Sequence, residues 1–407
     1  MIPSINVQEF NYELPQDRIA LEPTKQRDES RLLAYKNGRI LHSNFSAIAE
    51  FLPSNSHLFF NNTKVIAARL LFKKNTGAAI EIFLLEPLDS NYEQLNKTHT
   101  TSWKCLVGGS KKWKQNEKLI IEIHTHQFKT CLTAKRIEKT ENYTAVEFAW
   151  DQPVSFGDLI EATGQIPLPP YIKRKAKEED KLRYQTVYAK EEGSVAAPTA
   201  GLHFTSTIFN SLTSKGIDKS FLTLHVGAGT FKPVTATSIA KHQMHEEYFE
   251  VEKSIIAILA DARRMKVAVG TTSLRTLESL YWIGLQLMHQ KSVPNLHALQ
   301  LHQWDHFQWE EDEIKDSSIV FDYLFNLMEQ QNLNKLIGHT GICITPGYSF
   351  KVIDALITNF HQPQSTLLLL IAAIVGDEWS KIYQVALDHG YRFLSYGDGS
   401  ILFLNKH

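Results

Sequence analysis

The apolar positions of this chain change period in a regular way, and the period marks the elements. Leu58 to Asn61 is a short apolar run that ends in Asn61, Asn62 and Thr63, all turn or cap formers, and it reads as a strand. Phe221 to Val226 alternates. Phe221, Thr223 and His225 face one way and Leu222, Leu224 and Val226 the other, so His225 ends a strand just before a glycine turn. Lys266 to Gly270 is a strand, Thr271, Thr272 and Ser273 are candidate caps, and Leu274 to Leu287 is a helix. Thr205 and Ser206 cap a shorter helix that Gly216 stops. Near the C-terminus GICIT and ALITNF read as strands, TLLLLIAAIVG as a buried helix and WSKIYQVALDHG as a second one. YRFLSY and SILFL around GDG read as a hairpin. Strand ends near 226, 270 and 358 all carry hydroxyls, His or Gly, and their convergence at one sheet edge predicts a pocket.

Residues 70–155 have a different texture. AIEIFLL, WKCLV, KLIIEI, FKTCLTA and TAVEFAW are short, alternating and separated by polar or glycine turns, the pattern of a small antiparallel barrel or sandwich. The expected fold is therefore α/β, of the mixed α+β kind. A mixed-sheet main domain made of residues 1–69 and 156–407 is interrupted by a small inserted antiparallel β-barrel at 70–155. Residues 288–335, rich in His, Trp and acid, are the least legible stretch, apart from an amphipathic helix at FDYLFNLMEQQ.

Bulk composition narrows the class. With 43% hydrophobic and 21% charged residues in 407, the chain is an ordinary globular one of about two domains. A net charge of −1 means that a polyanion would have to be met by a local basic patch. Cys105, Cys131 and Cys343 lack paired spacing, which fits a reducing compartment. No signal peptide is evident, and the apolar run Leu367–Val375 is half a bilayer span, so a cytoplasmic protein without membrane contact is expected.

Candidate chemistry gathers in GSVAAPTAGLHF (193–204) and TLHVGAGTFKPV (223–234), two turns of small residues that each bear a histidine, His203 and His225. Gly227 and Gly229 do not make a dinucleotide fingerprint, since Lys232 stands where a third glycine belongs. The hydroxyl-rich helix start at Thr271–Ser273 suits a carboxylate or phosphate, and Arg275 and Glu278, three apart, are placed to pair. Trp103, Lys111, Lys112, Trp113 and Lys114 offer a cation–aromatic mix for nucleic acid, and Lys173, Arg174 and Lys175 a second basic run. Each of these also fits a plain role as a tight bend, a capped core helix or a solvated turn. His242 and His245, three apart on a possible helix, lack zinc-protease spacing, and no metal is expected. No Gly-x-Ser-x-Gly elbow, P-loop or cysteine nucleophile setting is present.

These motifs, with VGTTSLRTLES, PGYSF, LITNFHQPQST, YRFLSYGD, ELPQDRIA, RDESRLL, FNNTKVIAARL, IPLPPYIKR and RYQTVYA, resemble the S-adenosylmethionine:tRNA ribosyltransferase-isomerases of queuosine synthesis. The resemblance runs from about residue 9 to 403 and implies a mixed α/β domain interrupted by a β-barrel. It implies that the ribosyl part of S-adenosylmethionine, a co-substrate, is transferred and isomerised onto 7-aminomethyl-7-deazaguanine at the wobble position of tRNA. Epoxyqueuosine forms, and adenine and methionine leave. His203 and His225 are then the candidate base and acid, with Asp398 and Glu278 as carboxylate alternatives. Thr271, Thr272 and Arg275 would hold the methionine carboxylate. Phe204, Phe231 and Tyr396 would face the sulfonium, and Thr199, Gly201, Gly227, Gly229 and Thr230 would line the rest. Lys111, Lys112, Lys173, Arg174 and Tyr184 would meet tRNA, and a monomer is expected. A catalytically silent tRNA-binding relative, or a methyltransferase using the same co-substrate, are the alternatives. The chain departs from the pattern at Asn62, at Gln362, in GDGSILF, in VGGSKKWK and in a longer 290–335.

Overall fold

The computed structural model describes residues 3–89, 92–227, 236–290, 295, 296 and 298–404. Its frame is a ten-stranded mixed sheet in the order Leu299–Leu301, Lys335–Thr340, Glu247–Glu252, Asp218–Leu224, Ser56–Asn61, Met265–Val269, Ala355–Asn359, Gly399–Phe403, Arg31–Lys36 and Arg39–Asn44. The four strands from Asp218–Leu224 to Ala355–Asn359 are mutually parallel, so Leu224, Asn61, Val269 and Asn359 all finish at one edge. Every residue of Ser56–Asn61 and of Ala355–Asn359 is buried. Parallel strands covered on both faces need this continuous apolar run rather than alternation.

The helix Thr271–His289 follows Met265–Val269 and is buried over most of its length. A later helix explains why. The helix Ser317–Gln330 lies against it and against Lys253–Ala260. A Cβ on Gly284 would come within 2.5 Å of Val320 Cγ1, so glycine sets how closely the two helices cross. The illegible stretch thus supplies a lid of packing over the long helix.

The second sheet has six antiparallel strands in the order Arg69–Lys73, Ala79–Pro87, Thr100–Gly108, Thr144–Ala149, Lys129–Lys139 and Lys118–His124. Its two end strands lie against each other, which nearly closes a barrel. The barrel core takes in Ile66 and Ala68 before it and Phe156, Leu159 and Ile160 of the helix Phe156–Thr163 after it. Trp103 and Trp113 are both in this core, so neither is free to stack on a base as their place among lysines suggested. Trp103 follows the alternation of the strand Thr100–Gly108, and Trp113, just after the turn Ser110–Lys112, is held inward with its Nε1 donating to the Glu117 carbonyl at 2.9 Å.

Three local readings are corrected. The last segment is no hairpin. Gly399–Phe403 pairs in parallel with Arg31–Lys36 and antiparallel with Ala355–Asn359, because Asp398 accepts the backbone N–H of Arg31 and of Arg392 and folds 392–398 back. GICIT follows the strand Lys335–Thr340 instead of being it, and Arg275 Nε donates to the Ile342 carbonyl there at 3.2 Å. His242 and His245 lie in an extended approach to Glu247–Glu252, not on a helix. Among the described residues, no helix is long and apolar enough to cross a membrane.

Candidate functional site

The shared edge of the parallel strands opens into two cavities that meet at residues 225–227. The first, about 870 Å³ counted out to open solvent, is bounded by Ala196–Ala200, Val226, Gly270–Thr272, Thr358–Gln362, Ser365–Leu367, Ser395 and the rings of Tyr171 and Tyr184. The second, about 1370 Å³ on the same measure, lies between the barrel and the sheet and takes His225 and Gly227. Successive side chains of an extended segment point to opposite sides. Val226 therefore faces one cavity while its neighbours face the other.

Two helices begin at the first cavity. Thr271–His289 starts there after Gly270, whose φ of 87° is glycine's to take, and Thr366–Val375 starts there after its cap Ser365. Helix N-termini carry partial positive charge and free N–H groups. No Asp, Glu, Lys or Arg side chain lines this cavity among the described residues, so those helix ends set its field. Thr272 Oγ1 borders the space and makes no hydrogen bond among the described residues. Buried polar groups without partners are uncommon, and this one faces a void of ligand size. Thr199 donates to Asn359 Oδ1 at 2.9 Å on the same wall. Burial holds His361, also on this wall, at a pKa of about 4.

The two histidines part company. His203 ends the short 3₁₀ segment Thr199–His203 and stacks on Phe45 at 4.6 Å. Ser30 donates its hydroxyl to the Arg27 carbonyl and so accepts Nδ1–H of His203 at 2.7 Å, while Asn359 Nδ2 donates to His203 Nε2 at 3.0 Å. Both ring nitrogens are used. Burial, then Arg392, brings the pKa down to about 3. His203 thus stands behind Asn359, against a small recess with Arg27, Arg183 and Tyr396.

His225 follows Asp218–Leu224 and is also buried. Thr63 donates to the Glu191 carbonyl at 3.3 Å and accepts His225 Nδ1–H at 3.1 Å. Nε2 is left as a lone pair with no hydrogen bond among the described residues. Tyr92 stacks on the ring at 4.0 Å, and Gly193 lets the backbone touch its far edge. Burial sets the pKa near 4, so the ring is neutral at pH 7.

Other expected site residues fall in different places. Glu278 is fully buried away from both cavities and accepts the Tyr348 hydroxyl and the N–H groups of Lys351, Val352 and Ile353. Burial raises its pKa against those bonds. Arg275 pairs with Glu247 across the sheet and not with Glu278, one turn below the cavity floor. Asp398 is held by Arg31 and Arg392 as a loop clasp. Phe204 sits in an aromatic core with Phe45, Phe60 and Phe209, and Tyr396 donates to Asp180. Gly201 packs under the Tyr188 hydroxyl, where a side chain would not fit. Thr199, Thr271 and Thr272 do line the first cavity, and Gly227 the second. Gly229, Thr230 and Phe231 lie outside the described residues. Lys111, Lys112 and Lys173 are exposed, whereas Arg174 is tied in a two-point pair with Asp180 at 2.6 and 2.8 Å. Tyr184 is buried in the cavity wall, out of reach of an RNA surface.

Sequence reasoning missed Tyr171 and Tyr92. The cluster Asn359, His361 and Ser365 at a strand-to-helix turn signalled the second helix start, and all three line the cavity. Nothing in the sequence links Tyr92, in the barrel's loop, to His225. No three His, Cys, Asp or Glu side chains gather as a metal would require among the described residues.

A mixed α/β sheet with a barrel set in it, and a cavity at the strand ends bordered by two helix starts, is the class of protein the geometry defines. The sequence profile of the queuosine biosynthesis protein family matches residues 7–402. The chain belongs to that family. It is 39% identical over 405 residues to the S-adenosylmethionine:tRNA ribosyltransferase-isomerase of Thermotoga petrophila, covering 98% of this chain and 100% of that one. The protein of the same name from Halothermothrix orenii is 36% identical over 410 residues, with 98% and 100% covered. The crystal structure of S-adenosylmethionine tRNA ribosyltransferase from Thermotoga maritima matches with a TM-score of 0.45 at 29% identity, covering 97% of this chain and 99% of that one.

Proposed function

We propose that this protein transfers and isomerises the ribosyl moiety of S-adenosylmethionine onto 7-aminomethyl-7-deazaguanine at the tRNA wobble position. Epoxyqueuosine-tRNA forms, and adenine and methionine are released. The observation that carries this reading is the near full-length match to ribosyltransferase-isomerases. The first cavity fits the co-substrate. Thr271, Thr272 and the two helix starts suit its carboxylate, and the faces of Tyr171 and Tyr184 suit a sulfonium. The co-substrate supplies an activated sugar next to a cationic sulfur. His225, neutral with Nε2 open toward the second cavity, is the group that exchanges a proton with the acceptor base. His203 positions Asn359 and the wall carrying Thr199.

In the same proposal residues 1–69 and 156–407 form the catalytic part and 70–155 the barrel insert. Lys111, Lys112 and Lys173 meet the tRNA backbone, no metal takes part, and the protein works as a cytoplasmic monomer. The test is to incubate purified protein with S-adenosylmethionine and tRNA bearing the deazaguanine. Free adenine and methionine are expected. S-adenosylhomocysteine would identify a methyltransferase instead, and tRNA binding without turnover a silent relative.

A further inference from the structure

The second cavity is set apart from the first by its lining. Its walls come from both parts of the molecule, with Glu86, Lys104 and Tyr143 from the barrel and His225, Glu246 and Tyr248 from the sheet. A cleft this large between an insert and a strand edge is open enough for a ring system on a chain. Its floor is aromatic, with Tyr92 stacked on His225 at 4.0 Å and Tyr248 nearly parallel to that imidazole at 5.7 Å.

Two observations point to the chemistry of the occupant. His225 is 4% exposed, borders the cleft and has one nitrogen that accepts from nothing described, so the ligand brings an N–H or O–H donor. The carboxylates of Glu86 and Glu246 face the same space and are only part-answered, Glu86 by Lys104 at 2.7 Å and Glu246 by Gln300 and His302. Two acids against one lysine favour a cation, with the imidazoles of His245 and His339 as the other titratable groups of the lining beside His225. The cleft also touches the first cavity at the 225–227 segment alone, so its ligand lies next to, and not within, the co-substrate space.

We infer that the cleft between barrel and sheet is the seat of an extruded nucleobase bearing a primary ammonium, with its ring N–H edge on His225 Nε2 and the ammonium toward Glu86 and Glu246. This rests on the reading of the protein as a tRNA base-modifying enzyme and gives that reading a location for the acceptor. It also gives the barrel a role, since half of the seat is built from it. An extruded base can stack on aromatic side chains and be read along its hydrogen-bonding edge.

The test uses the full chain and calorimetric titration with two free bases, 7-aminomethyl-7-deazaguanine and 7-methyl-7-deazaguanine. The wild type should bind the amine at least about tenfold tighter, the scale of one charge-assisted hydrogen bond. In a Glu86→Gln, Glu246→Gln double variant that preference should fall below about threefold, and His225→Ala should weaken both bases by a similar factor. Thr272→Val, in the other cavity, should change neither. Equal binding of both bases by the wild type, no binding at millimolar base, or an unaltered preference in the double variant would each overturn the assignment. Adenine release from S-adenosylmethionine and tRNA separates the two claims. If the wild type turns over while the cleft variants bind and react as it does, the cleft falls and the reaction stands. If the base binds as described and no adenine appears, the cleft stands and the reaction falls.

Discussion

Asn359 donates its amide to Nε2 of His203 at 3.0 Å, and this one bond divides the labour between the two histidines. Both rings carry their proton on Nδ1, one held by Ser30 and the other by Thr63. Only His225 keeps the second nitrogen open. His203→Ala removes a buried ring and strands two hydrogen-bonding partners, so it should lower stability by about 2–4 kcal/mol. His225→Ala should cost less stability and slow adenine release at least about 100-fold. Urea midpoints and single-turnover rates on both variants check the split, and the reverse ordering would refute it.

In the proposed reaction, the contact of Thr63 with His225 Nδ1 at 3.1 Å fixes the tautomer that leaves Nε2 open. Thr63→Val keeps the shape and removes the acceptor for Nδ1–H, so turnover should drop roughly tenfold or more while the fold survives with a loss of about 1–2 kcal/mol. Thr63→Ser should restore most of the rate. A valine variant with wild-type kcat would separate Thr63 from the chemistry.

Gly193 has a φ of 143°, and a Cβ there would lie 2.5 Å from Tyr92 Cδ1 and 2.8 Å from His225 Cε1. Gly193→Ala should push the imidazole off Tyr92. The expected result is a loss of about 1–3 kcal/mol together with a fall in turnover larger than the stability change explains at assay temperature. Thermal melts beside initial rates measure both. A variant as active as wild type would show that the ring tolerates displacement.

Thr272 sits at a helix start with an unpaired hydroxyl facing the first cavity. Thr272→Val should raise KM for S-adenosylmethionine about tenfold with kcat changed little, since the lost contact serves binding and not the reacting bonds. A fall in kcat at constant KM would place the carboxylate elsewhere.

Burial holds His57, His225 and His306 at a pKa of about 4 and His203 at about 3. These lie below the unfolded value near 6.5, so between the two the unfolded chain binds more protons than the folded one. The contribution to stability is full above pH 6.5 and is lost as pH falls toward 4, by up to about 1.4 kcal/mol per pH unit for each histidine. His306 is the cleanest probe, because neither ring nitrogen has a partner. His306→Phe should leave stability at pH 7 nearly unchanged and make its decline down to pH 5 shallower. An unchanged pH slope would be evidence against a neutral buried ring there.

The sequence by itself determined the period of each element, and period is a local property. Alternation in 70–155 specified antiparallel strands, and the apolar runs at Leu58–Asn61 and Leu356–Asn359 specified strands, whose parallel pairing with Met265–Val269 only the fold decided. It also marked Gly193–Phe204, Thr271–Thr272 and His225 as chemistry at strand ends, because small residues, hydroxyls and imidazole leave a trace without any partner in view. Tertiary structure alone decided which of those groups are free. Glu278, Arg275, Asp398 and Arg174 look reactive in a string, yet each is spent on a partner between 6 and 367 residues away, among them Asp180 for Arg174 and the Arg31 amide for Asp398. Trp103 and Trp113 looked exposed beside lysines and are turned inward by the barrel. Whether a buried charge or ring nitrogen is satisfied depends on contacts made across the fold. His203 and His225, alike in sequence, are told apart by the cavity each borders and by the amide of Asn359 on the Nε2 of His203.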